Sequence, residues 1–91
     1  MHTTHRVSGE SMSPRFKPNE YVFTQLILYK DIILWGEPYV IQTLEYTMIR
    51  YLHQCPLGNY ILKAENQMFQ DIHLEKGRVI DIYLVKGLVG H

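Results

Sequence analysis

The chain has few of the features that mark secreted, membrane or nucleic-acid-binding proteins. Its single cysteine, Cys55, cannot form an internal disulfide, and we expect an ordinary thiol in a reducing compartment. Acidic and basic residues number nine each, so no basic surplus indicates direct contact with DNA or RNA. The most apolar run, 21–35, is interrupted by polar residues and is too short to span a bilayer. These absences predict a cytoplasmic protein without a membrane anchor.

What the chain does contain is typical of one small globular domain. Of its 91 residues, 46% are hydrophobic and 20% are charged, which is enough apolar material for a modest core. No repeat, linker or low-complexity tract divides the sequence. We predict a short N-terminal extension over residues 1–6 and one domain over residues 7–91.

Short segments rich in β-branched and aromatic residues alternate with turn residues along the chain. Five of them predict β-strands: 20–25, 38–43, 46–53, 59–64 and 79–85. Residues 64–71 predict a loop with one helical turn, and the apolar run 27–35 leaves helix and strand open. The expected fold is therefore mostly β, with short turns and little helix.

The last predicted strand and the residues after it are unusually apolar for a chain end. Such a strand is either buried in the middle of a sheet or paired with another subunit. The second possibility predicts a homodimer that forms through the C-terminal strand.

The segment Val7-Ser8-Gly9-Glu10-Ser11-Met12-Ser13-Pro14 carries the main functional motif. Its core, formed by Gly9, Glu10, Ser11, Met12 and Pro14, resembles the nucleophile segment of the LexA-like self-cleaving repressors. That family includes phage repressor C-terminal domains and UmuD-type proteins, with signal peptidases as distant relatives. Four later segments resemble the family in the same order, so the similarity spans about residues 7–90: 36–41, 46–52, 62–66 and 79–90. The resemblance implies a small LexA-like, signal-peptidase-like β-barrel or sandwich.

The resemblance also implies a Ser/Lys dyad with Ser11 as the nucleophile. A serine hydroxyl needs a neighbouring base to remove its proton, and a desolvated lysine with a lowered pKa serves as that base in the family. In this sequence the lysine position is occupied by Ile49 or Arg50, depending on the gap placed there. Isoleucine has no proton to exchange, and arginine stays charged, so neither residue is a general base.

Two other side chains are candidates for the missing base. His53 lies at the end of the same predicted strand, and imidazole is chemically suited to the role. Lys63 lies on the next predicted strand, where a surface lysine is expected. His2 and His5 have a spacing compatible with a metal, but they stand near a chain end. We predict no metal, cofactor or small-molecule ligand.

These observations leave two main hypotheses. The first is the self-association domain of a phage-type or stress-response transcriptional regulator, with the peptidase fold kept and its chemistry lost. It would reach DNA only through a separate domain that this chain does not include. The second is an active serine peptidase that cleaves itself, with Ser11 as the nucleophile and an unusual base such as His53. A signal-peptidase-like enzyme is a remote third possibility, because no membrane anchor is evident.

Overall fold

The computed structural model describes residues 2–90 and consists mainly of antiparallel β-structure. Met1 begins the predicted N-terminal extension and His91 ends the predicted domain, and both lie outside the described residues. The strands are β1 (His2–Arg6), β2 (Tyr21–Leu26), β3 (Pro38–Gln42), β4 (Thr47–Gln54), β5 (Tyr60–Lys63), β6 (Ile72–Leu74) and β7 (Asp81–Leu88). They form one sheet in the order β1-β2-β7-β3-β4-β5-β6. Within the described part of the chain, no helix is long and apolar enough to cross a membrane.

The mostly β fold predicted from the sequence is confirmed, and each of the five predicted strand segments overlaps a strand. Two edge strands were not predicted. The polar sequence of β1, His-Thr-Thr-His-Arg, lacks apolar alternation, and β6 has only three residues. Residues 27–35 form turns, and the helical turn predicted within 64–71 is absent; the one short 3₁₀ helix of the described residues lies at Lys76–Arg78.

The apolar C-terminal strand β7 occupies the middle of the sheet. It pairs with β2 on one side and with β3 on the other, both antiparallel. Central burial explains its apolar composition where β2 and β3 flank it on both sides, whereas residues 85–88 pair with β2 alone.

Two apolar clusters lie on opposite faces of the curled sheet, and we call these the first and second faces. The cluster on the first face consists of Val7, Met12, Phe16, Val22, Val40, Ile49 and Val85. The cluster on the second face consists of Tyr39, Ile41, Leu52, Tyr60, Leu62 and Ile82. Because side chains alternate along a strand, Ile49 of β4 belongs to the first face and Leu52 to the second. Residues 7–19, which include the serine motif, cover the first face.

Candidate active site

The serine motif forms a tight turn, residues 7–16, which we call the Ser11 turn. Three apolar side chains fix it to the first face: Val7, Met12 and Phe16 are all buried. Gly9 has a φ of +79°, a left-handed conformation that strongly favours glycine. The motif residues are thus explained locally by packing and backbone geometry.

Hydrogen bonds within the turn involve the residues beside the serine. The Ser13 amide donates to the Glu10 carbonyl at 3.1 Å, and the Ser13 hydroxyl donates to Glu10 Oε2 at 2.8 Å. The Phe16 amide donates to the Met12 carbonyl at 2.9 Å. Glu10 therefore holds the turn together, and Pro14, which follows a cis peptide bond, lies on its exposed side.

Asn66 connects the Ser11 turn to the loop that follows β5. Its backbone amide donates to the Ser11 carbonyl at 3.0 Å. Its side-chain Nδ2 donates to the Glu10 carbonyl at 3.3 Å, and its Oδ1 accepts a hydrogen bond from the Met68 amide. The backbone of the serine is thus held from outside its own turn.

A second polar contact ties the far end of the Ser11 turn to β4. Arg15 donates to the Tyr51 hydroxyl at 3.1 Å and lies over the rings of Phe16 and Tyr51. The Tyr51 hydroxyl in turn donates to the Glu65 carboxylate. Burial, followed by this bond to Glu65, raises the pKa of Tyr51, so the phenol stays protonated and able to donate at neutral pH.

Ser11 lines a cavity of about 180 Å³ on the first face. The cavity lies between β1, the Ser11 turn and the hairpin of β3 and β4, and its lining residues are His5, Arg6, Val7, Ser8, Ser11, Met12, Val40, Thr47, Met48 and Ile49. Of the two residues predicted at the lysine position, Ile49 lines the cavity that Ser11 also lines, and Arg50 does not. No described residue forms a hydrogen bond with Ser11 Oγ.

Arg50 lies on the second face, away from that cavity. It is only 7% exposed, and its guanidinium donates to the Gln70 carbonyl at 2.8 Å and to the Leu62 carbonyl at 3.5 Å. Burial lowers the pKa of Arg50, opposed by the nearby Asp71 carboxylate, yet arginine remains charged at neutral pH. The geometry gives Arg50 a structural role in holding the loop around Gln70.

The two candidate replacement bases, His53 and Lys63, also lie away from the cavity of Ser11. His53 shares the parity of Ile49, but it lies four residues further along β4, about 13 Å at the usual strand rise. Its ring lies next to Gly36. Lys63 is exposed at the end of β5. Neither side chain is brought to Ser11.

His5 lines the cavity of Ser11, although the sequence did not indicate it as a candidate base. The Thr24 hydroxyl donates to the Thr3 carbonyl at 3.1 Å, and its oxygen is 3.3 Å from His5 Nδ1. Burial lowers the pKa of His5, so the ring is neutral at neutral pH. Only the folding of β1 onto β2 brings it there, which the polar pattern of β1 does not predict.

No cluster of three or more potential metal-binding side chains occurs among residues 2–90. The cavity therefore brings together Ser11, a neutral His5, the polar residues Arg6, Ser8 and Thr47, and apolar side chains.

Comparison with known families gives one match. A family model described as Peptidase S24-like matches residues 2–85, which includes the Ser11 turn and every strand at least in part. The searches of curated proteins and of solved structures found no match. Because the family model covers nearly the whole chain, the protein belongs to the Peptidase S24-like family, the family of the LexA-like peptidase fold.

Proposed function

We propose that this chain is the self-association domain of a phage-type or stress-response transcriptional regulator in which the peptidase fold is kept and the Ser/Lys chemistry is lost. The observation that carries the proposal is Ile49, an alkyl side chain on the cavity of Ser11. An alkyl group accepts no proton, so the serine hydroxyl is not activated from that position. The domain acts in the cytoplasm and reaches DNA through a separate domain.

Retention of Ser11 is compatible with lost chemistry, because its turn contributes to the fold. Val7, Met12 and Phe16 supply much of the first-face cluster, and the Ser11 carbonyl accepts a hydrogen bond from Asn66. Selection for packing therefore preserves the motif even where the hydroxyl has no reaction to perform.

An exposed apolar patch at the C-terminal side of the sheet supports self-association. Tyr21 and Phe23 of β2 are 49% and 41% exposed, and Val89 just after β7 is 44% exposed. The Val89 amide donates to the Tyr21 carbonyl at 2.9 Å, so these residues form one surface. Residues 85–88 of β7 pair with β2 alone, because β3 pairs only with residues 81–84. Two copies therefore meet at the end of the C-terminal strand, through the side chains of this patch.

Sedimentation velocity over a range of concentrations tests this proposal. We expect the wild-type chain to form a dimer and Phe23→Ser to shift the equilibrium toward monomer about tenfold or more, as is usual when an aromatic anchor is lost from an interface. Leu57→Ser is the matched control, because Leu57 is equally apolar but lies 89% exposed in the turn between β4 and β5. A wild-type monomer of 10.8 kDa at all concentrations would refute the self-association proposal.

One observation favours the second candidate, an active serine peptidase with a different base. His5 lines the cavity of Ser11, and because burial lowers its pKa, its neutral imidazole is able to accept a proton. Incubating the domain with a longer form of the same protein at mildly alkaline pH distinguishes the two functions. Cleavage that is lost in both Ser11→Ala and His5→Ala would establish the peptidase and exclude the inactive domain.

A further inference from the structure

A groove of about 800 Å³ opens on the second face of the sheet, on the side away from the Ser11 turn. It runs between the β3–β4 hairpin and the crossover from β6 to β7, and its apolar lining includes Leu44, Met48, Leu62, Ile72, Leu74 and Ile80. A concave site of this volume is in the range that encloses a small organic molecule. Neither the serine chemistry nor the self-association patch uses it.

The floor of the groove is apolar. Leu62 is fully buried at its base, and Met48, Ile72 and Leu74 are half-buried around it. The rim keeps more apolar surface in solvent, because Leu44 is 91% exposed and Ile80 is 42% exposed. Continuous apolar surface inside a concavity favours binding of an aliphatic or aromatic body.

Both walls of the groove are held in place by hydrogen bonds. Thr43 Oγ1 accepts bonds from the Tyr46 amide at 3.0 Å and the Glu45 amide at 3.3 Å, which fixes the hairpin turn. The Ile80 amide donates to the Gln42 carbonyl at 2.8 Å, which ties the crossover to the end of β3. The concavity is therefore preformed, and a ligand need not order it.

Charge at the rim selects the head group of the ligand. Arg78 is the only cationic side chain among the lining residues. It is 69% exposed, and its contact with Glu75 is long, 4.0 Å, so its guanidinium has donors available for a carboxylate. Glu45 lies on the hairpin wall and repels an anion from that side. A ligand acid group is thus directed to the crossover side of the rim.

We propose that this groove binds an amphipathic carboxylic acid, with its aliphatic chain against Leu62, Ile72 and Leu74 and its carboxylate at Arg78. The apolar body supplies most of the affinity by burial, and the arginine selects the anion. The site is independent of the proposed loss of serine chemistry and of self-association through Phe23.

Titration with decanoate below its critical micelle concentration, followed by methyl NMR of the full chain, tests the site. We expect saturable shifts of the methyl groups of Leu44, Ile72, Leu74 and Ile80. Decanol has the same chain without the charge, and decyltrimethylammonium carries the opposite charge. We expect decanol to bind several-fold more weakly than decanoate and the ammonium compound to bind more weakly still.

Two variants locate the head group and the chain. Arg78→Gln should weaken decanoate about fivefold, the usual scale of an exposed ion pair, and leave decanol unchanged. Ile80→Asp, at a partly exposed position, should weaken both because it places a carboxylate at the apolar rim. Leu57→Asp, outside the groove, should change neither.

Several outcomes would overturn the proposal. These are no shifts below the micelle concentration, shifts confined to residues outside the groove, or equal binding of all three compounds. Groove methyl signals that change on dilution without ligand would show that a second copy occupies the groove instead. In that case Ile80→Asp would also shift the sedimentation equilibrium toward monomer.

Discussion

At the scale of single residues, Ile49 and Arg50 are neighbours in sequence but lie on opposite faces of the sheet and have different roles. They are adjacent in β4, but alternation sends Ile49 to the first face and Arg50 to the second. Only Ile49 reaches the cavity that contains Ser11. The charged residue, Arg50, therefore lies on the opposite face of the sheet from Ser11 and does not contact the serine.

Arg50 should stabilise the fold through its bonds to the Leu62 carbonyl of β5 and the Gln70 carbonyl of the following loop. Replacing it in Arg50→Met keeps the aliphatic stem but leaves the carbonyls of Leu62 and Gln70 without this donor. We expect the free energy of unfolding to fall by about 2 kcal/mol, less any gain from no longer burying the charge. Urea denaturation measures this, with Lys63→Met on the exposed end of β5 as the control. A variant as stable as wild type would contradict the structural role.

His5 should make the stability of the domain sensitive to mild acid. Burial lowers its pKa below the ordinary value of 6.5, so the unfolded chain takes up a proton more readily than the folded one. The stabilising effect is complete above pH 6.5 and is lost as the pH falls through the lowered pKa. The difference in Tm between about pH 7.5 and about pH 5 should shrink in His5→Asn but not in His73→Asn, whose side chain is exposed. Equal acid sensitivity of all three proteins would contradict this assignment.

At the scale of elements, the Ser11 turn depends on a loop distant in sequence. Asn66 bonds to the carbonyls of both Glu10 and Ser11, so the turn is built by the nucleophile segment and the loop after β5 together. Arg15, Tyr51 and Glu65 add a second connection between the same parts. The turn is therefore fixed by tertiary contacts as well as by its own sequence.

Asn66→Ala should loosen this connection. It removes the side-chain bonds to the Glu10 carbonyl and from the Met68 amide while leaving the backbone bond to Ser11 possible. We expect a loss of about 1 kcal/mol in the free energy of unfolding, measured by urea denaturation, and faster amide exchange at Ser13. Gln67→Ala, at the neighbouring exposed position, should have almost no effect. Unchanged exchange at Ser13 in Asn66→Ala would rule out this anchoring role.

At the scale of the whole molecule, local pattern predicted the strands and the motif but could not predict their arrangement. Segments such as 20–25 and 38–43 are strands because they are rich in β-branched and aromatic residues, which are buried on both faces in β3 and on alternate positions in β2. In contrast, β1 is polar and gains strand structure by pairing with β2, so its sequence alone gives no signal. His5 reached the site by that pairing and was missed for the same reason.

The position of β7 is a second property of the whole sheet. An apolar C-terminal strand fits either a central place or an intermolecular one, and pairing with β2 and β3 establishes the central place. The sequence likewise left open whether Ile49 or Arg50 lies on the side of Ser11, because it does not show which face of β4 the Ser11 turn covers. The alternation of side chains along β4 correctly placed Ile49 and Tyr51 on the same face, and both pack on the first face. Only the tertiary structure shows that this face, and not the face of Arg50, lies next to Ser11.

Labelling of Ser11 by a fluorophosphonate probe tests the proposal that this serine lacks a base because Ile49 occupies the position of the family's lysine. Ile49→Lys places an amine on the Ser11 cavity, where partial burial should lower its pKa and allow it to take the serine proton. Arg50→Lys is the matched control, since it places the same amine on the opposite face. Mass spectrometry locates the modified residue, and Ser11→Ala identifies labelling elsewhere.

We predict that wild type and Arg50→Lys stay unlabelled at Ser11 and that Ile49→Lys becomes labelled increasingly as the pH rises through the pKa of the new lysine. Because Ile49 is buried, the folded state of Ile49→Lys is first verified by circular dichroism, and the wild-type result stands by itself. Ready labelling of wild-type Ser11 would contradict the claim that this serine has no base.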